Sequence, residues 1–118
     1  MYYFTKKIYY LILNNNIKFM ENINLLFSSN DCPLVITSIH HPFKILYVNK
    51  SWELLCGYSQ QEILGKSIFI LKYKDINKNI SINKKKNNQL FIHFFEIINY
   101  PQFNISIGKT KYYKNLQI

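Results

Sequence analysis

The spacing of apolar positions changes along the chain, and each change marks an element. Over residues 17–29, Phe19, Met20, Ile23, Leu26 and Phe27 recur at three- and four-residue steps, which predicts a helix with one apolar stripe. Asn30-Asp31-Cys32-Pro33 breaks it. Leu34 to Ile39 and Lys44 to Val48 are rich in β-branched and aromatic residues, and the His40-His41-Pro42-Phe43 connection suits an antiparallel hairpin. Helical signals start at Asn49, whose side chain can cap a first turn, with Glu53 at the positive end of the helix dipole. Trp52, Leu55 and Cys56 then share one face, and Gly57 suits the left-handed conformation that ends such a helix. Ser59 and Glu62 have capping-box spacing for a second short helix, with Ile63 and Leu64 as its apolar side and Gly65 as its stop.

Residues 67–71 are apolar and are expected to turn toward the core. Residues 72–89 are dominated by lysine and asparagine and include Lys84-Lys85-Lys86. They read as a mobile, solvated loop or a poorly ordered helix. Strand character returns from Leu90 to Tyr100, and Asn104-Ile105-Ser106-Ile107 alternates cleanly. Gly108 is expected to close that strand, with Tyr112-Tyr113 and Leu116-Gln117-Ile118 beginning the last one. The order predicts an α+β domain, an antiparallel sheet of about five strands with short helices on one face. Residues 1–30 are set apart as an N-terminal extension carrying the flanking helix, and residues 31–118 as the domain, with the lysine/asparagine-rich loop at 72–89.

Composition adjusts this picture. The 118 residues suit one domain with one modest core. The formal net charge is +9, and all 15 basic residues are lysines. Many alternate with asparagine and isoleucine, a bias shared by A- and T-rich codons, so the charge points only weakly to nucleic acid. Arginine, the usual reader of guanine edges, is absent. Cys32 and Cys56 read as reduced thiols, Cys56 within an apolar helical pattern. His40, His41 and His93 lack metal-ligand spacing. Lys6-Lys7 and the apolar run Ile8 to Leu13 resemble a very short signal peptide, but the run meets Asn14-Asn15-Asn16 without a small-residue cleavage pattern and is too short to span a bilayer. No membrane association is expected, and the compartment expected is cytoplasmic.

Several phrases then carry a family resemblance. Asp31 to Thr37, Ile45 to Asn49, Trp52 to Ser59 and Glu62 to Lys66 resemble the front half of a PAS domain, in wording closest to its light-oxygen-voltage (LOV) branch. The resemblance implies a PAS-like antiparallel sheet with a helical cleft across one face. In that cleft, members bind a small molecule, a cofactor or nothing, and they signal through dimer contacts. LOV domains resemble one another in an Asn-Cys-Arg-Phe-Leu-Gln segment after the glycine, whose cysteine attacks a flavin on illumination and whose arginine pairs with the flavin phosphate. Here Ser67-Ile68-Phe69-Ile70-Leu71-Lys72 follows Lys66. Ile68 stands at the cysteine's place, Phe69 at the arginine's, and Lys72 where a glutamine would meet the flavin. The thiol and the bidentate phosphate donor are both missing. Asn99, Asn104 and Gln117 resemble the amides that hold the flavin's polar edge, on a back half with a shortened connection at Pro101-Gln102.

The leading expectation is therefore a non-enzymatic PAS-like sensory or protein-interaction module in signal transduction, acting as a homodimer or with a partner signalling protein. It would hold no cofactor, or FMN through Asn99, Asn104 and Gln117 without the cysteine adduct. Two alternatives follow: a flavin-binding sensor lacking that photocycle, and a basic nucleic-acid-associated protein. No specific nucleic-acid partner is expected, because no groove-reading motif is present. Neither a Ser-His-acid arrangement nor a phosphate-binding glycine loop supports an enzyme.

Overall fold

The computed structural model describes residues 31–117, so the expected helix over 17–29 and the 1–30 extension lie outside the described residues. Strands β1 (Leu34–Ser38) and β2 (Ile45–Val48) form the expected antiparallel hairpin. Helix α1 (Lys50–Cys56) and helix α2 (Gln60–Ile63) follow, and then a 3-10 turn over Ile68–Leu71. Strands β3 (Lys72–Asn77), β4 (Ile80–Lys84), β5 (Leu90–Tyr100) and β6 (Ile105–Asn115) complete the domain. The strands form one six-stranded sheet in the order β2-β1-β6-β5-β4-β3, with every neighbouring pair antiparallel.

The local grammar around Asn49 does more than cap a helix. Its Oδ1 accepts from the Trp52 N–H and the Leu34 N–H, each at 3.0 Å, and its Nδ2 donates to the Cys32 carbonyl at 2.9 Å. One buried side chain thus ties α1 to the start of β1. Gly57 ends α1 at φ 85 and its N–H donates to the Glu53 carbonyl, as a left-handed cap requires. Ser59 and Glu62 form the full capping box: the Glu62 N–H donates to Ser59 Oγ at 3.3 Å, and the Ser59 N–H donates to Glu62 Oε1 at 2.8 Å. Glu53 Oε2 accepts from the Gln60 N–H at 2.6 Å, fixing the second helix against the first. The face so presented buries Trp52, Leu55, Cys56 and Ile63 in one cluster with Val35, Ile45, Val48, Leu71 and Phe91.

Two expectations about the back half are corrected. The first is the lysine/asparagine-rich loop at 72–89, which instead contains the β3–β4 hairpin and supplies the sixth strand. In β4, period-two alternation explains it: Ser81 and Asn83 are buried on one face, while Ile80 and Ile82 alternate with them; β3 is exposed along its length and is held by pairing with β4. The lysine block is anchored as well. Lys86 Nζ donates to Glu62 Oε2 at 2.8 Å, and the Lys86 N–H donates to the Cys56 carbonyl at 2.9 Å. That Lys86 bond, ahead of the Ser59 N–H, holds the exposed Glu62 carboxyl below its usual range. The second correction concerns Gly108, which does not close a strand. β6 runs straight through it, paired with Val35 of β1. A Cβ at Gly108 would meet Val35 Cγ1 at 3.0 Å, so the glycine permits close approach within the sheet. The expected short connection is present as a 3-10 turn over Pro101–Phe103 closed by Asn104 at φ 57, yet the β5–β6 ladder it joins runs from Phe91↔Asn115 to Tyr100↔Ile105.

Candidate functional site: a cavity between the helices and the sheet

A cavity of about 470 Å³ lies between the sheet and the helical segments. That volume falls within the range of small-molecule sites. Trp52 and Cys56 of α1, with Ile68, Phe69 and Leu71 of the 3-10 turn, form its apolar wall. Phe69 packs edge-on against Phe43 with ring centroids 5.5 Å apart, and Lys72 Nζ sits 4.9 Å from the Phe69 centroid. Lys72, Asp75, Asn77 and Lys78 bring the β3–β4 hairpin to one side of the cavity. Lys72 Nζ and Asp75 Oδ2 pair at 2.7 Å.

The sheet side carries a cluster of polar side chains beside Val35, Phe95 and Ile97. Ser81 and Asn83 from β4, His93 from β5 and Thr110 from β6 all line the cavity. Their side chains form one chain of hydrogen bonds. Ser81 Oγ donates to Asn83 Oδ1 at 2.9 Å, and Asn83 Nδ2 lies 3.1 Å from His93 Nδ1. His93 Nε2 lies 2.7 Å from Thr110 Oγ1. With the amide oxygen committed to Ser81, the amide nitrogen faces the imidazole and can only donate, so His93 Nδ1 accepts. The ring proton is then on Nε2 and is donated to Thr110. Burial depresses the imidazole from 6.5 to about 4, which keeps the ring neutral near pH 7.

The three amides named from sequence do not converge. Asn99 lines the cavity, and its Oδ1 accepts from Ser106 Oγ at 2.6 Å. Asn104 is an exposed turn residue in the left-handed conformation, outside β6 and outside the cavity lining. Gln117 is exposed beyond the end of β6 and does not line the cavity either. Of the three amides matched to the flavin's polar edge, Asn99 alone lines the cavity. Ile68 does line the cavity, at the place matched to the reactive thiol. Cys56 also lines it, but burial pushes its thiol far up, against a weaker lowering by Lys85, and so disfavours the reactive thiolate. Both cysteines are free thiols. Among the described residues no cluster of His, Cys, Asp or Glu could hold a metal ion, and no helix is long and apolar enough to cross a membrane.

Comparison with known proteins bears on this architecture. The family model described as PAS fold matches residues 21–89, more than half of the chain. The chain belongs to the PAS-fold family. Solved structures of PAS-type photoreceptor domains share its architecture. The LOV protein of Rhodobacter sphaeroides superposes with a TM-score of 0.65 at 16% identity, covering 86% of this chain and 69% of that one. The photo-excited blue-light photoreceptor Vivid gives 0.55 at 21% identity, covering 70% of this chain and 79% of that one. The LOV domain of a blue-light activated histidine kinase from Erythrobacter litoralis gives 0.58 at 15% identity, covering 68% and 94%. At these identities the likeness is one of fold. A comparison with curated proteins finds no significant match.

The PAS cavity's most distinctive side chains escaped the sequence reading. Ser81 and Asn83 were legible in principle, through the alternation Ile80-Ser81-Ile82-Asn83. His93, a polar residue inside the apolar run Phe91 to Phe95, was a second visible signal. Thr110 carried none, because only the β5–β6 register brings it to His93.

Proposed function

We propose that this PAS domain is a non-enzymatic sensory and protein-interaction module, in which occupancy of the cavity is the input and association is the output. The cavity itself carries the reading: it combines an apolar wall with a hydrogen-bonding sheet side, the combination that fixes and orients a small molecule. The side chains facing it include no activated nucleophile, since the Cys56 thiol is raised by burial. Output through a homodimer is supported by the apolar stripe of residues 17–29, which offers Phe19, Ile23, Leu26 and Phe27. Replacing Ile23 and Phe27 by serine together is expected to abolish self-association in sedimentation while the circular dichroism spectrum is kept. Loss of the folded spectrum instead would place the stripe in the monomer's core and refute its role as an interface.

A flavin sensor without the adduct is the second reading, favoured by the position of Asn99 and by the cavity's size. After FMN addition and illumination, no reversible bleaching of the oxidised-flavin band is expected, because isoleucine at position 68 has no thiol to add. Bleaching that recovers in the dark and disappears in Cys56→Ser would contradict this. Binding to DNA and RNA is expected to be indifferent to sequence and weakened by salt, since it rests on lysine charge alone.

A further inference from the structure

The cavity's sheet side is more polar than a packing surface needs to be. Ser81, Asn83 and Thr110 are each under one-tenth exposed, and apolar side chains at these places would avoid their desolvation cost. Their mutual hydrogen bonds offset most of that cost and leave one group over. Thr110 Oγ1 accepts from His93 and donates to no acceptor among the described residues. The chain Ser81→Asn83→His93→Thr110 runs in one direction and ends in this hydroxyl at the cavity surface. A hydroxyl that already accepts is polarised as a donor.

Charge narrows what can meet it. The four side chains carry no formal charge, and the cavity's charged groups, Lys72, Asp75 and Lys78, all belong to the β3–β4 hairpin, where Lys72 and Asp75 neutralise one another. Lys78, the remaining cation, is exposed on the hairpin turn, so an anion buried against Thr110 would give up its hydration for a solvated partner. Trp52 and Phe43 also line the cavity, and their rings favour a ring.

We propose that the Thr110 end of this array is a recognition site for a neutral, mainly apolar, ring-bearing small molecule whose carbonyl or ring-nitrogen acceptor takes the Thr110 hydroxyl hydrogen bond. His93 and Asn83 act as positioning residues, holding the hydroxyl's direction. The proposal rests on the cavity being the module's input site.

Three probes test it on the full chain: naphthalene, 2-acetonaphthone and 2-naphthoate. Binding is followed through the single indole N–H signal of Trp52, which lines the cavity. The ketone is expected to bind about tenfold more tightly than naphthalene, the gain of one well-placed hydrogen bond, and more tightly than the carboxylate. Thr110→Val should reduce the ketone to the level of naphthalene, whereas Thr110→Ser should keep its advantage. Nitrogen-15 signals of His93 should show the proton on Nε2. Equal binding of naphthalene and the ketone overturns the proposal while leaving the cavity as the input site. A preference for the carboxylate, a proton on Nδ1, or an advantage that survives in Thr110→Val also overturns it. If none of the three binds, the proposal and the input reading fall together.

Discussion

Replacing Trp52 by alanine is expected to destabilise the domain by roughly 3–5 kcal/mol. The indole is 3% exposed, sits in the central cluster with Leu55, Ile63 and Phe91, and also walls the cavity. Its removal deletes a buried aromatic side chain from the α1 face and leaves a void beside an existing one, so little collapse can compensate. Leu54, two residues on, is 74% exposed and serves as the control. Leu54→Ala should stay within about 0.5 kcal/mol of wild type. Urea unfolding of both variants measures the contrast, and a Trp52→Ala loss no larger than that of the control would remove the indole as the anchor of the helical layer.

Acid should weaken the domain through His93. The unfolded imidazole takes its proton near 6.5, and the folded one only near 4, because burial disfavours the charged ring. Between those values the unfolded chain binds more protons. Stability contributed by this group is therefore fully present above pH 6.5, falls as pH drops toward 4, and levels off below. The full shift corresponds to about 3 kcal/mol. His93→Gln removes the titration, so urea midpoints of wild type should fall more steeply than those of the variant between pH 6.5 and pH 4. A folded-state His93 titrating near 6.5 by nuclear magnetic resonance would remove the effect.

What was legible in the sequence follows from how local its cause is. Asn49, Gly57, Ser59 and Glu62 act on backbone groups within a few residues, and each cap appears where the residues place it. The tie from Asn49 to Leu34 and Cys32 could not be read, because it spans 15 and 17 residues of chain. Lysine and asparagine at 72–89 obscured a strand pair: β4 alternates and takes β5 as a partner that local composition does not reveal, while β3 is exposed throughout and is held by pairing with β4. Gly108 looked like a terminator because its reason, the Val35 side chain, lies on another strand. The site suffered most from this non-locality. Asn99 faces the cavity, but Asn104 turned out to be consumed by a turn and Gln117 to lie beyond the sheet. The array of Ser81, Asn83, His93 and Thr110 exists only once three strands are in register.

The central claim, that the cavity's state governs association, is tested most directly by sedimentation equilibrium of wild type beside Ile68→Trp over a wide concentration range. Ile68 is partly buried against the core and lines the cavity, so the larger side chain fills the space a ligand would take. Two states that differ in cavity occupancy and in association must be linked, so a change in one changes the other. Wild type is expected to self-associate and the variant to show a shifted dimerisation constant, with circular dichroism unchanged. A wild type monomeric at every concentration, or identical constants for the two proteins, would contradict it.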